Sequence, residues 1–244
     1  MPRARLLALT LGVLLAWTPA RAQDFHRTYR VGPGGSISVG NVSGNISVSG
    51  YDGDTVVVRA QVEGRDRNLV QIEDSSGGDR VVIRVRYSDN CNCNANVRFD
   101  VQVPRSVSYE FDSIQSVSGD LEVSDVTGSL RAKTVSGGVR VKDVSGTVNA
   151  ATVSGSVEVE IRRLEGKGDM KFSSVSGSVN VRLPADLDAE VEMSSVSGSL
   201  RTDFPIQVEE ARYGPGRKAR GRVGAGARTV RLSTVSGRVS LSRF

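Results

Sequence analysis

Cys91-Asn92-Cys93 holds the two cysteines of this 244-residue chain. In an exported protein the first reading is a local disulfide; the alternatives are free thiols or a metal or redox role. A bridge across one residue closes a tiny ring, constrains little of the unfolded chain and is easily reduced. Two thiols alone make a poor metal site, and the one histidine, His26, is far away in sequence. Asp125 and Asp143 are the next candidates, because stacked carboxylates can bind calcium or serve as a glycosidase pair. The calcium-binding nonapeptide Gly-Gly-x-Gly-x-Asp is absent, however, and a carboxylate at a corner can satisfy turn amides. The hydroxyls of Thr134, Thr152, Ser174, Ser195 and Thr234 form a series too narrow for an ice-binding face, so a structural ladder is expected. Gly221 to Gly226 looks like a phosphate-cradling loop, but no helix follows it. Serines abound, yet with a single histidine there is no credible triad.

The remaining chemistry is electrostatic. Arg217, Lys218, Arg220, Arg222 and Arg228 lie within twelve residues that contain no acid. Gly214, Pro215, Gly216, Gly221, Gly224 and Gly226 punctuate the stretch, which predicts a projecting loop or short hairpin rather than a core strand. In any strand there, alternation puts Arg220 and Arg222 on one face, opposite Val223. The body of the chain, residues 23–210, carries a net charge of −7, whereas residues 211–244 hold nine of the 32 basic residues and none of the 27 acidic ones. A basic end on an acidic body is a candidate site for envelope proteins or anionic envelope polymers. No aromatic ladder accompanies the charges, so specific nucleic-acid reading is not expected.

The elements that must carry these residues are repeats. Ser116 to Glu160 divides into nines, S-V-S-G-D-L-E-V-S, D-V-T-G-S-L-R-A-K, T-V-S-G-G-V-R-V-K, D-V-S-G-T-V-N-A-A and T-V-S-G-S-V-E-V-E, with Gly119, Gly128, Gly137, Gly146 and Gly155 in register. A fixed short period marks a solenoid. Two features alternate between successive nines. The residue before Val is Ser116, Asp125, Thr134, Asp143, Thr152; the last inward candidate is Val123, Ala132, Val141, Ala150, Val159. A coil of 18 residues with two unlike sides explains both. Each side supplies a short strand, and Ser-Gly or Thr-Gly supplies the corner. Val135, Val139, Val141, Val153, Val157 and Val159 are all expected to be buried. Later copies, Val175-Ser176-Gly177, Val196-Ser197-Gly198 and Val235-Ser236-Gly237, have longer spacers that belong in corners.

The fold expected is therefore all-β, a parallel β-solenoid or β-helix with about 18–22 residues per coil. Aromatics are 5% of the chain and glycines number 27, which suits a thin core. Residues 1–22 read as a signal peptide: Arg3 and Arg5, an apolar Leu6 to Trp17, and Ala20-Arg21-Ala22 as the cleavage site. No later segment is apolar enough to span a membrane as a helix. Residues 23–244 form one domain, with less regular strands over 23–112 that cap the solenoid and Val-Ser-Gly repeats over 113–244, interrupted by the basic insertion at 204–229.

Gly34-Gly35, the repeated Val-Ser-Gly, Val103-Pro104, Asp203-Phe204-Pro205 and Gly221-x-Val223-Gly224-x-Gly226 before a last repeat resemble the bacterial “putative-adhesin” domain of unknown function, the toast-rack fold. The resemblance spans roughly the whole chain after residue 22 and implies an exported, all-β, solenoid-like domain with no established activity or cofactor. The expected function is an exported, non-enzymatic cell-envelope or surface protein, an adhesin-like binding or scaffold domain in the periplasm, on the outer surface or secreted. An envelope-stress accessory or sensor domain is the alternative. A polysaccharide-active β-helix enzyme is further off, since the sequence offers no aromatic sugar platform.

Overall fold

The alternation of the repeats becomes a flattened coil in the computed structural model, which describes residues 25–88, 93–210 and 216–244. The expected signal peptide and Cys91 lie outside these residues; Cys93 is disulfide-bonded. The described residues form strands, with one short 3-10 turn among them at Arg67–Leu69. The N-terminal strands are β1 (Phe25–Tyr29), β2 (Ser36–Gly40), β3 (Ile46–Tyr51), β4 (Val56–Gly64), β5 (Val70–Asp74), β6 (Arg80–Tyr87) and β7 (Ala95–Pro104). The regular repeats form β8 (Ser108–Ser118), β9 (Leu121–Ser124), β10 (Thr127–Ser136), β11 (Val139–Ser154), β12 (Val157–Arg163), β13 (Met170–Ser176) and β14 (Val179–Leu183). The last are β15 (Ala189–Ser197), β16 (Leu200–Thr202), β17 (Gln207–Glu210), β18 (Arg217–Val223), β19 (Thr229–Ser236) and β20 (Val239–Arg243).

These strands make one sheet wound on itself into two faces. Along the first face the order is β5-β6-β2-β8-β10-β11-β13-β19-β15-β18-β17. Along the second it is β1-β4-β7-β3-β9-β11-β12-β14-β20-β16. The long strand β11 turns the corner and belongs to both. Pairs such as Thr127↔Ser145 and Val139↔Val157 fix the coil at 18 residues, and the longer spacers 164–169 and 184–188 fall at the corners. Rungs do not stack in chain order throughout. The β2–β3 coil lies between β6–β7 and β8–β9, and the final β19–β20 coil lies between β13–β14 and β15–β16. A terminal coil placed inside the stack has both backbone edges paired. The ends are closed instead by antiparallel strands, β1, β4 and β5 at one and β18 and β17 at the other, which blunts the open edges.

The two faces differ as the alternating nines require. Val139, Val141, Val157 and Val159 fill the second face from within, and Leu130, Ala132, Val148 and Ala150 the first. The corners differ too. Asp125 and Asp143 take a left-handed conformation, each with φ 55°, and the valines after them, Val126 and Val144, turn into the core. At the opposite corner Thr134 and Thr152 point inward, so strict alternation turns Val135 and Val153 outward. They are 48% and 45% exposed, contrary to the burial expected from their type. The inward hydroxyls answer a backbone need. Ser116, Thr134, Thr152, Ser174, Thr234 and Ser195 donate to the carbonyls of Gly44, Gly119, Gly137, Gly155, Gly177 and Gly237 on the adjacent rung, at 2.8–3.3 Å. A valine there would leave each of those carbonyls without its hydroxyl donor.

Candidate functional site

The cations singled out in the sequence meet the rest of the molecule at the end of the first face. β17 and β18 form an antiparallel hairpin, and β18 pairs along β15, with Ala219 turned into the core beside Met193. Lys218, Arg220 and Arg222 alternate with it and point out. Arg222 meets Glu190 at 2.9 Å. Arg220 meets Glu192 at 3.2 Å, and the same carboxylate takes Arg231 of β19 at 2.8 Å. One carboxylate thus holds two guanidiniums and leaves that trio with a positive excess. Arg217 donates to the Gly198 carbonyl at 3.2 Å. Lys218 has no ion pair among the described residues.

Arg228 stands apart from the other four, in the link between β18 and β19. It is half-buried, and its Nε and Nη1 have no hydrogen-bond partner among the described residues. Asp188 orders this link: its carboxylate accepts the N–H of Gly226 at 2.6 Å and that of Ala227 at 3.3 Å. Those two amides, Gly226 first, hold the Asp188 carboxyl below the usual carboxylate range, and the charge of Arg228 adds to them.

Stacking adds cations that the local sequence does not reveal. From β10 to β18, Arg131, Asn149, Lys171, Arg231, Glu192 and Arg220 follow one another in one outward column of the first face, with Gln207 of β17 next in line, and Lys133 lies one column over. Residues 131, 171, 231 and 220 are scattered along the chain. Only the 18-residue register, carried through the longer spacers and the swapped order of the last coils, lines them up. The second face is different: Arg140 lies between Glu122 at 3.3 Å and Glu158 at 3.2 Å, and Arg182 meets Glu160 at 3.4 Å, so acid and base alternate there. A shallow groove of about 170 Å³ opens beside Gly138, where a missing side chain separates Asp120 from Ser156.

The other candidates are taken up by the frame. Asp125 and Asp143 are corner residues, and Asp143 is paired with Arg162. No group of three or more His, Cys, Asp or Glu side chains placed to hold a metal occurs among the described residues. His26 is exposed on the outer strand β1. No helix among the described residues is long and apolar enough to cross a membrane.

Among solved structures, a “putative cell adhesion protein” from Clostridium sporogenes is similar at 12% identity, over 91% of this chain and all of that one, with a TM-score of 0.49. A “putative adhesin” from Bacteroides fragilis is similar at 14% identity, over 91% of this chain and 97% of that one, with a TM-score of 0.35. No curated protein matches the chain. The model of the Toastrack DUF4097 family matches residues 24–242, nearly the whole chain, and the protein belongs to that family.

Proposed function

We propose that this protein is an exported, non-enzymatic envelope or surface domain of the adhesin-like kind, which binds acidic polymers or acidic faces of envelope proteins at the β18 end of its first face. The observation that carries this reading is the outward column of Arg131, Lys171, Arg231 and Arg220, flanked by Lys133, Lys218 and Arg222. Glu190 and Glu192 offset part of it. Exposed ion pairs of this kind are worth about 0–1 kcal/mol each, so a polyanion competes for Arg220 and Arg222 at little cost. A wound sheet held by main-chain bonds offers a rigid face of several rungs, which suits a long ligand better than a small substrate. Hydroxyls and carboxylates that could do chemistry are committed to the backbone and corners.

Export rests on the n-region, apolar stretch and Ala-x-Ala site before Gln23. The exported protein is expected to begin at Gln23 without added lipid, as intact mass would show; retention of residues 1–22 or an acyl chain would contradict this.

Binding is tested with the wild type and a variant carrying Gln at Arg217, Lys218, Arg220, Arg222 and Arg228, on anionic and neutral polysaccharides. Wild-type affinity for the anionic polymer is expected to fall about tenfold or more between 50 and 200 mM salt, through counterion release. The variant should bind at least about tenfold more weakly at low salt, and the neutral polymer should not bind. Equal binding by variant and wild type, or no salt dependence, would remove the proposal and leave the fold unaffected.

A further inference from the structure

One apolar feature has no partner among the described residues and takes no part in the cationic face. Val42, Val117, Val135, Val153, Val175, Val235 and Val196 are each between 41% and 51% exposed. Pairing of the serines that follow them puts the seven on successive rungs in that order. At about 4.8 Å per rung they form a straight ridge about 29 Å long. Neighbouring outward columns mix Lys, Arg, Glu, Asn and Ser; this column is valine on every one of these rungs. Exposed valines scattered singly need no explanation, but a contiguous strip on the order of 500 Å² is at the size that marks an interaction surface.

Beyond the ridge, past the serines and glycines of the corner, a further column shows what fits it. On the same seven rungs it reads Asn45, Asp120, Gly138, Ser156, Ser178, Arg238 and Ser199. Its two charges are opposite and equidistant from the central rung, that of Val153. Asp120 is exposed and uses one carboxylate oxygen on the Gly138 N–H, at 2.7 Å. Arg238 is exposed and makes no ion pair among the described residues. We propose that two copies of this chain associate ridge to ridge, antiparallel, about a two-fold axis at Val153, with Asp120 of each copy paired to Arg238 of the other.

Three features of the ridge and its flanks select a second copy. A ridge with a repeat of about 4.8 Å is commensurate with itself, so reversal about one rung sets each valine of one copy against a valine of the other. Reversal about the fourth rung sets the second rung against the sixth, which brings acid to base twice and no like charges together. On the other flank Lys133 then faces Ser173, again without a clash. Such an isologous contact closes on itself and makes a dimer rather than a fibre. With the flanking serines, the buried area reaches only the low end of specific interfaces, about 1,200 Å², so the dimer is reversible and concentration-dependent.

Sedimentation of the purified protein at low salt tests this. The wild type is expected to pass from monomer to dimer within about 1–100 μM. Val153→Asp sets two carboxylates against each other on the axis and is expected to raise the dissociation constant at least tenfold. Because Val153 is exposed, its melting temperature should stay near that of the wild type. Asp120→Arg and Arg238→Asp, each alone, create like-charge pairs and are expected to weaken self-association similarly. Mixed one to one, those two variants regain both ion pairs and should form a heterodimer about as strong as the wild-type dimer. A wild type that stays monomeric throughout, a Val153→Asp variant that dimerises as the wild type does, or a mixture no stronger than either folded variant alone would each overturn the proposal.

Discussion

Val141→Asp is expected to lower the melting temperature by about 10 °C or more, whereas Arg140→Asp and Val135→Asp should each shift it by no more than about 3 °C. Val141 is fully buried, stacked between Val123 and Val159 on the second face. The substitution removes apolar burial of about 1.5–3 kcal/mol and places a carboxylate in a dry stack, which costs several kcal/mol more. Every rung above and below keeps its own main-chain bonds, so the core cannot move aside to admit water. Arg140, one residue earlier, is exposed; its replacement loses the contacts to Glu122 and Glu158, pairs worth about 0–1 kcal/mol each, and sets a third carboxylate between them, a repulsion that solvent and salt screen. Val135 is the sharper control, because it is a valine in the same repeat that points outward. Burial raises a carboxyl pKa, so the penalty in Val141→Asp should shrink as the pH falls and the group becomes neutral; exposed Val135→Asp should show no such trend. Differential scanning calorimetry at neutral and acidic pH checks both points. Equal shifts for Val141→Asp and Val135→Asp would mean that the assigned faces are wrong.

The contrast between those two valines also marks how far the sequence could be read. Period and two-sidedness were legible because Ala132 and Ala150 alternate with Val123, Val141 and Val159, and Asp125 and Asp143 with Thr134 and Thr152. What the repeats do not carry is the sign of the turn at each corner. Asp125 and Asp143 at positive φ bring the next valine in; Thr134 and Thr152 in extended backbone send it out. The threonine is the inward residue because a glycine carbonyl on the next rung needs its hydroxyl, a demand set by a neighbour 15 residues away in the chain. Stacking order was hidden for a related reason. Nearest-neighbour rungs have interchangeable valines, so nothing local says that β19 inserts between β13 and β15. The basic insertion was visible as composition, but the cations it joins, Arg131, Lys171 and Arg231, belong to other repeats. Only the register between stacked rungs of the first face brings them into one column.

Gly137→Ala is the substitution expected to separate solenoid closure from ordinary packing. Gly137 has φ +144°, and a Cβ there would meet the Gly119 carbonyl oxygen at 2.2 Å and its carbon at 2.6 Å. Neither atom belongs to a flexible side chain. The Gly119 oxygen is held in place because it also accepts the Thr134 hydroxyl at 3.0 Å. Relief therefore requires the two rungs to part, which strains the bonds from Gly119 N–H to the Ser136 carbonyl and from Leu121 N–H to the Gly138 carbonyl, at 2.8 and 2.9 Å. Backbone strain of about 1–3 kcal/mol adds to that loss, and a total near 3 kcal/mol or more is expected. Gly138→Ala is the matched control. Its Cβ would lie no closer than 3.4 Å to any neighbour, and its backbone needs no positive φ, so its effect should stay within about 0.5 kcal/mol. Chemical denaturation of the two variants measures the difference, and hydrogen exchange locates it. Lost protection should centre on Gly119, Gly137 and Leu121 and their pairing partners, and spare the antiparallel cap of β1, β4 and β5. If Gly137→Ala unfolds no more easily than Gly138→Ala, the close glycine column does not set the rung spacing, and the corners must be held by the hydroxyl ladder alone.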